Sequence, residues 1–398
     1  MPVGTTMMTD DPDARHSSRH RAAAGLRWME SLHMTPGVAV RVVFTALAAT
    51  MASACAPPAV PPPDQSSSAD VNPVRVVVVA MWERGADEGD EPGEFQLWKA
   101  RRGLSERFAL PQGDHDLYYN RESQILGMVT GVGTAKSAAT TMAVGLDPRF
   151  DLTRAYWLVA GVAGIDPEDA SIGSAVWSAY LVDGDLGYEL DAREIPPDWD
   201  TGFFAIGSTS PTDPNKREPR GEVFLVNEGL RDWAFELTKD LTLPDDPALA
   251  AARAAYVNHP NALRPPFVAR GGHIAAMTFW HGALKNAWAN DYVRYWSDGR
   301  TDFFTSAMED TGTYRAIDYL HRAGRVDANR FMVLRAGSNY TMPPPGVTAA
   351  DYLIRESEGY SGMIASLESL YLVGSAVIDE LLGNWPHYAE HVPGTSPD

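Results

Sequence analysis

Three short segments of this chain carry side chains suited to holding and acting on a small polar ligand. The first is Phe331-Met332-Val333-Leu334-Arg335-Ala336-Gly337-Ser338-Asn339, followed by Tyr340-Thr341-Met342 and the rigid run Pro343-Pro344-Pro345-Gly346. An apolar run that stops at small and amide-bearing residues reads as a buried strand bringing Ser338 and Asn339 to the rim of a sheet, where α/β proteins place ligands. Asn339 there donates and accepts at once, which suits a group such as a purine; capping a turn before the prolines would use it equally well. The second segment, Thr278-Phe279-Trp280-His281-Gly282, puts two aromatic rings and an imidazole just before a helix. Such rings either stack on a flat heterocycle or fill a core. The third is Ala307-Met308-Glu309-Asp310 at a helix start, where Asp310 has the place of a capping carboxylate. Glu309 is the better candidate for accepting hydrogen bonds from two vicinal hydroxyls.

Positioning these segments requires a sheet. Residues 74–80 are a continuous β-branched run, the pattern of a strand covered on both faces. Further strands are expected at 124–130, 156–160, 174–182 and 331–335, and helices at 134–143, 226–239, 249–256, 310–323 and 362–382. Strands alternating with helices give an α/β fold, a three-layer α/β/α sandwich around a mixed central sheet, over residues 74–392. Residues 83–123 and 185–266 are expected as insertions near the ligand cleft, and 393–398 as a tail. Gly131-Val132-Gly133 and Gly161-Val162-Ala163-Gly164 follow two of the strands, as tight turns or as places where the backbone approaches a ligand. Neither supplies the spaced glycine triplet of a dinucleotide site. The ten His show no metal-ligand spacing and the single Cys lies outside the domain, so no cofactor and no metal is expected.

Arg41 precedes the apolar and small residues 42–54, which end at the lone Cys55. This is the layout of a bacterial export signal that ends in a lipid-modified cysteine. Residues 1–55 are therefore read as an N-terminal extension and signal, and 56–73 as a Pro- and Ser-rich tether. The domain is expected to be exported and anchored to the outer face of the cytoplasmic membrane, touching it only through the lipid. A formal net charge of −19 repels phosphate backbones and argues against nucleic acid as a partner.

Met81-Trp82-Glu83, Gly131-Val132-Gly133-Thr134-Ala135-Lys136, Gly161-Val162-Ala163-Gly164 and the three segments above stand in an order that resembles the purine nucleoside permease family, over nearly all of residues 74–392. That family is similar to the nucleoside phosphorylases and nucleosidases, which cleave the N-glycosidic bond of nucleosides. The resemblance implies a nucleoside phosphorylase-like fold in which Met308 and Glu309 hold the ribose, Ser338 and Asn339 contact the purine, and Phe279 with Trp280 meets the base. Two departures bear on chemistry. Asn339 stands where nucleosidases use an Asp to protonate the departing base, so it would steady that base by hydrogen bonding instead. The turn at Gly161 lacks the arginine and the hydroxyl with which phosphorylases hold phosphate, which leaves water as the expected nucleophile. Glu83, the nearest match to the nucleosidase acid, or Glu94 behind it, would position that water. The implied protein is extracytoplasmic, binds a purine nucleoside and hydrolyses its N-glycosidic bond; a non-catalytic nucleoside-binding lipoprotein serving uptake is the alternative. Assembly into a homo-oligomer is left open, and Glu356 reads as a surface acid.

Overall fold

The structure, a computed structural model, describes residues 71–357 and 359–395. The expected signal with Cys55, and the tether as far as residue 70, lie outside the described residues. Paired chain starts just before the expected domain, because Asn72–Pro73 (β1) runs parallel to Phe150–Asp151. Val76–Ala80 (β2) is buried along its whole length, as its unbroken β-branched run requires. Next come Gln96–Arg101 (α1), Glu106–Phe108 (β3), Leu117–Asn120 (β4), Ile125–Val129 (β5) and Thr134–Gly145 (α2). Phe150–Asp151 (β6) leads into two long strands, Tyr156–Ile165 (β7) and Ala175–Asp183 (β8). Tyr188–Glu189 (β9), Phe203–Phe204 (β10), Val223–Leu225 (β11), Glu228–Thr238 (α3) and Pro247–Ala254 (α4) follow. The remaining chain forms Val268–Ala275 (β12), Ala283–Ser297 (α5), Phe303–Ala307 (β13), Asp310–Arg322 (α6), Phe331–Tyr340 (β14), Ala349–Ser357 (α7), Met363–Gly383 (α8) and Trp385–Tyr388 (α9).

Ten strands make one mixed sheet in the order β11-β8-β12-β13-β7-β2-β5-β4-β3, with β14 paired to both β7 and β8. The expected central sheet is therefore present, and β2 and β14 belong to it together through β7. Its shape differs from an open middle layer. Because β14 runs parallel to β7 and antiparallel to β8, the strands β14, β8, β12, β13 and β7 close into a ring. Register shifts at Gly272/His273 in β12 and Gly337/Asn339 in β14 mark the irregularities that let these strands coil, since a bulge bends its strand and increases the local twist.

Three glycine-containing segments, two of them expected as turns or strand ends, are strand interior. Strand β7 continues through Gly161-Val162-Ala163-Gly164, β12 through Gly271-Gly272, and β14 through Ser338 and Asn339. Alternate residues of β2 feed opposite faces. Val76 and Val78 pack with Leu158, Leu334 and the α8 residues Val373, Val377 and Leu381, while Val77 and Val79 pack with Val144, Ile317 and Leu320 of α2 and α6. The 83–123 insertion supplies β3 and β4, which extend the sheet edge beyond β5, and the 185–266 insertion supplies β11 at the opposite edge. Among the described residues no helix is long and apolar enough to cross a membrane.

Candidate functional site

The ends of β2, β12 and β13, the interior of β7 and β14, and the start of α8 surround a cleft of about 320 Å3. Arg335 is at its floor, 1% exposed, and sequence reasoning gave it no role although it stands in the most informative strand. Its Nε donates to Asp310 Oδ1 at 3.1 Å, and Nη2 donates to Asp310 Oδ2 at 2.6 Å and Glu309 Oε2 at 3.0 Å. Nη1 donates to the Val162 carbonyl at 3.0 Å. Burial works against the guanidinium's charge, but Asp310, Glu309 and Glu94 more than offset it and hold its pKa above the ordinary value. Burial likewise opposes ionisation of Asp310, yet Arg335 and His273 hold that carboxyl well below the usual carboxylate range. His273 reaches it with Nε2 at 2.8 Å, out of line for a good hydrogen bond, and its Nδ1 meets Thr305 Oγ1 at 2.9 Å. Asp310 is thus a buried ion-pair partner as well as the first residue of α6.

Glu309 lies where the sequence placed it, lining the cleft beside Met308 immediately before α6. Its Oε1 accepts from the Gly133 amide at 3.1 Å and its Oε2 from Arg335, with the Met308 amide at 3.2 Å. The turn at Gly131-Val132-Gly133 takes positive φ at both glycines, 81° and 97°, so its job is to aim an amide at this carboxylate rather than to cradle a dinucleotide.

Glu83 and Glu94 part company. Glu83 does not line the cleft; its carboxylate accepts from the Gly93 amide, from Phe95 and Gln96 at 2.8 Å each, and from Arg84 at 2.9 Å. It ties down the loop that leads into α1, and the expected role in positioning water does not fit it. Glu94 lines the cleft, 5% exposed, accepting from the amides of Met81 at 2.8 Å, Trp82 at 3.2 Å and Val162 at 2.7 Å. Burial pushes its pKa up to about 7, against the pull of Arg335. Gly161 stands behind this wall and is not itself part of the lining. A methyl group there would lie 2.0 Å from Met81 Cε, 2.6 Å from Arg335 Nη1 and 2.7 Å from Glu94 Oε1, so the glycine is what lets acid and guanidinium approach.

Ser338 and Asn339 line the opposite wall, both buried. Ser338 Oγ donates to Asn339 Oδ1 at 3.0 Å, and Asn339 Nδ2 donates to the Tyr340 carbonyl at 3.2 Å. One amide hydrogen and one lone pair of Asn339 are left over, enough to offer a ligand one donor and one acceptor. The aromatic pair separates by function. Trp280 packs against Trp288 and Phe303 and reaches the cleft from within a hydrophobic cluster. Phe279 projects into the cleft and faces Tyr360, a residue for which the sequence offered no signal. His281 stacks on Tyr352 at 5.0 Å, and burial depresses its pKa to about 4, as befits a neutral structural histidine. Glu356, expected at the surface, is 6% exposed and accepts from the Ser361 amide at 3.2 Å. Arg335 is the only basic side chain among the described residues that line the cleft.

A model of the family described as purine nucleoside permease (NUP) matches residues 73–393. The purine nucleoside permease of Candida albicans is 31% identical over 277 residues, which cover 68% of this chain and 67% of that protein. A probable purine nucleoside permease of Schizosaccharomyces pombe is 29% identical over 284 residues, covering 68% and 80%. Among solved structures, the MTA/SAH nucleosidase of Streptococcus pneumoniae is similar at 12% identity and a TM-score of 0.44, covering 78% of this chain and 99% of that one. The futalosine hydrolase of Helicobacter pylori is similar at 16% identity and the same TM-score and coverage. With the family pattern matched from residue 73 to residue 393, this chain belongs to the purine nucleoside permease family.

Proposed function

We propose that the cleft binds a purine nucleoside and cleaves its N-glycosidic bond with water. The observation that carries this reading is the pairing of two carboxylates, Glu94 and Glu309, around one buried, ion-paired arginine in a cleft that also presents an amide edge and an aromatic face. Glu309 accepts hydrogen bonds from the ribose hydroxyls. Glu94, whose pKa of about 7 suits a general base near neutrality, takes a proton from water as the water oxygen bonds to the anomeric carbon. The glycosidic C–N bond breaks, and the base leaves as an anion steadied by the Asn339 amide and is then protonated from solvent. The oxocarbenium-like sugar forms between two acids, which supports its positive charge. Phosphate is disfavoured as nucleophile because the only basic side chain among the described lining residues is committed to Asp310, Glu309 and a carbonyl.

Binding without cleavage, in the service of uptake, is the second reading. It is favoured by the three backbone amides that already hold Glu94 and by the relatives' description as permeases. Incubating the purified protein with inosine or guanosine, with and without phosphate, separates the two. Free base appearing without phosphate is expected, and binding without free base leaves only the second reading. Glu309→Ala is expected to weaken nucleoside binding by about 2 kcal/mol, as for a charged hydrogen-bond partner. The exposed Glu122→Ala serves as control. Equal affinities of Glu309→Ala and parent by calorimetry would overturn the site.

A further inference from the structure

Phe279 comes from the loop after β12 and Tyr360 from the turn before α8, and their rings meet across the cleft within 11° of parallel, with centroids 6.2 Å apart. Phe279 keeps 44% of its surface exposed, an apolar ring offered to the cleft mouth rather than buried in a core. A flat ring in van der Waals contact on both faces needs its neighbours about 7 Å apart, twice the carbon–carbon contact distance. The centroid distance of 6.2 Å is the upper limit of the plane spacing, so the rings must part by about 1 Å or more to enclose a heterocycle.

Tyr360 is held in place by its neighbours. Glu356 accepts from the Ser361 amide at 3.2 Å and from its hydroxyl at 3.4 Å, and the Met363 amide donates to the Tyr360 carbonyl at 3.2 Å. The Gly362 amide donates to the Ser338 carbonyl at 2.9 Å, tying this turn to the residue next to Asn339. The group that would meet the edge of a base and the ring that would meet its face are thus fixed to each other.

We propose that Phe279 and Tyr360 form a two-sided clamp for a planar bicyclic base, with Glu356 as the positioning residue that sets Tyr360. The clamp rests on the nucleoside reading and adds the origin of its selectivity. A bicyclic ring fills both faces, a single ring covers less of them, and a sugar, which has no flat π face, less still.

The test is calorimetry with guanosine, uridine and ribose on the full chain. Tyr360→Ala is expected to weaken guanosine binding about tenfold, in the range of one base–aromatic stack, and uridine binding less. Tyr360→Phe should bind guanosine within about twofold of the parent, because the ring face is kept. Glu356→Ala should weaken guanosine as Tyr360→Ala does, while Glu356→Gln, which still accepts from Ser361, restores it. A parent that binds guanosine while Tyr360→Ala binds it equally overturns the clamp alone. So does a loss that is the same for guanosine, uridine and ribose. A parent that binds none of the three overturns the nucleoside reading and the clamp with it.

Discussion

At the floor of the cleft Arg335, Asp310, Glu309 and Glu94 are all at least nine-tenths buried and joined by hydrogen bonds of 2.6 to 3.2 Å to each other and to backbone groups. At the rim Phe279 is nearly half exposed, and its ring partner Tyr360 hangs on a short turn. The floor is set before any ligand arrives, and charges fixed in a water-poor site are what a developing sugar cation needs. It is also where folding and function cannot be separated, because every group there is a desolvated ionisable side chain held by its hydrogen-bond partners. The rim contributes little to the folded state, so its substitutions speak about the ligand.

The sharpest way to break this comparison is Arg335→Met. Removing the guanidinium leaves Asp310 and Glu309 buried without their partner, and the expected loss is about 3 to 5 kcal/mol in urea unfolding. A loss under about 1 kcal/mol would mean that the floor tolerates unpaired charge and is no more special than the rim.

Glu94 gives a smaller effect with a definite sign. Burial raises its folded-state pKa from 4.5 to about 7, so between those values the folded protein holds a proton that the unfolded chain releases. Stability should therefore fall as pH rises from about 4.5 through about 7, while nucleoside cleavage rises through the same upper limit as the base becomes ionised. Thermal unfolding of the parent and Glu94→Gln between pH 5 and 8 checks the first statement, since the Gln variant lacks this contribution. Parallel pH profiles of the two proteins would show that Glu94 is not the titrating group.

Phe279→Ser sharpens the comparison from the other side. It should change unfolding stability by no more than about 0.5 kcal/mol, as expected for an exposed position, while nucleoside affinity drops. A stability loss as large as that of Arg335→Met would place Phe279 in the core and erase the distinction between floor and rim.

The sequence by itself determined the strands and helices that carry strong periodicity. The β-branched run of β2, the helical spacing of α6 and α8 and the apolar opening of β14 are local patterns of burial, and they stand where expected. The same locality made Met308, Glu309, Ser338, Asn339 and Phe279 legible as cleft residues, because each lies in a short polar or aromatic segment at or near the end of an apolar strand run.

Tertiary structure decided the rest. Glycine marks a turn and a close approach with the same letter, and only the packing of Met81, Glu94 and Arg335 over Gly161 shows that here it is the second. Glu83 and Glu94 are equivalent as residues in one irregular segment; which of them reaches the cleft depends on how that segment folds back over β2 and β7. Ring closure through β14 follows from its pairing with β7 and β8, strands far from it in sequence. Tyr360 met Phe279 for the same reason: a ring's partner lies across space, and nothing in the residues around either one names the other.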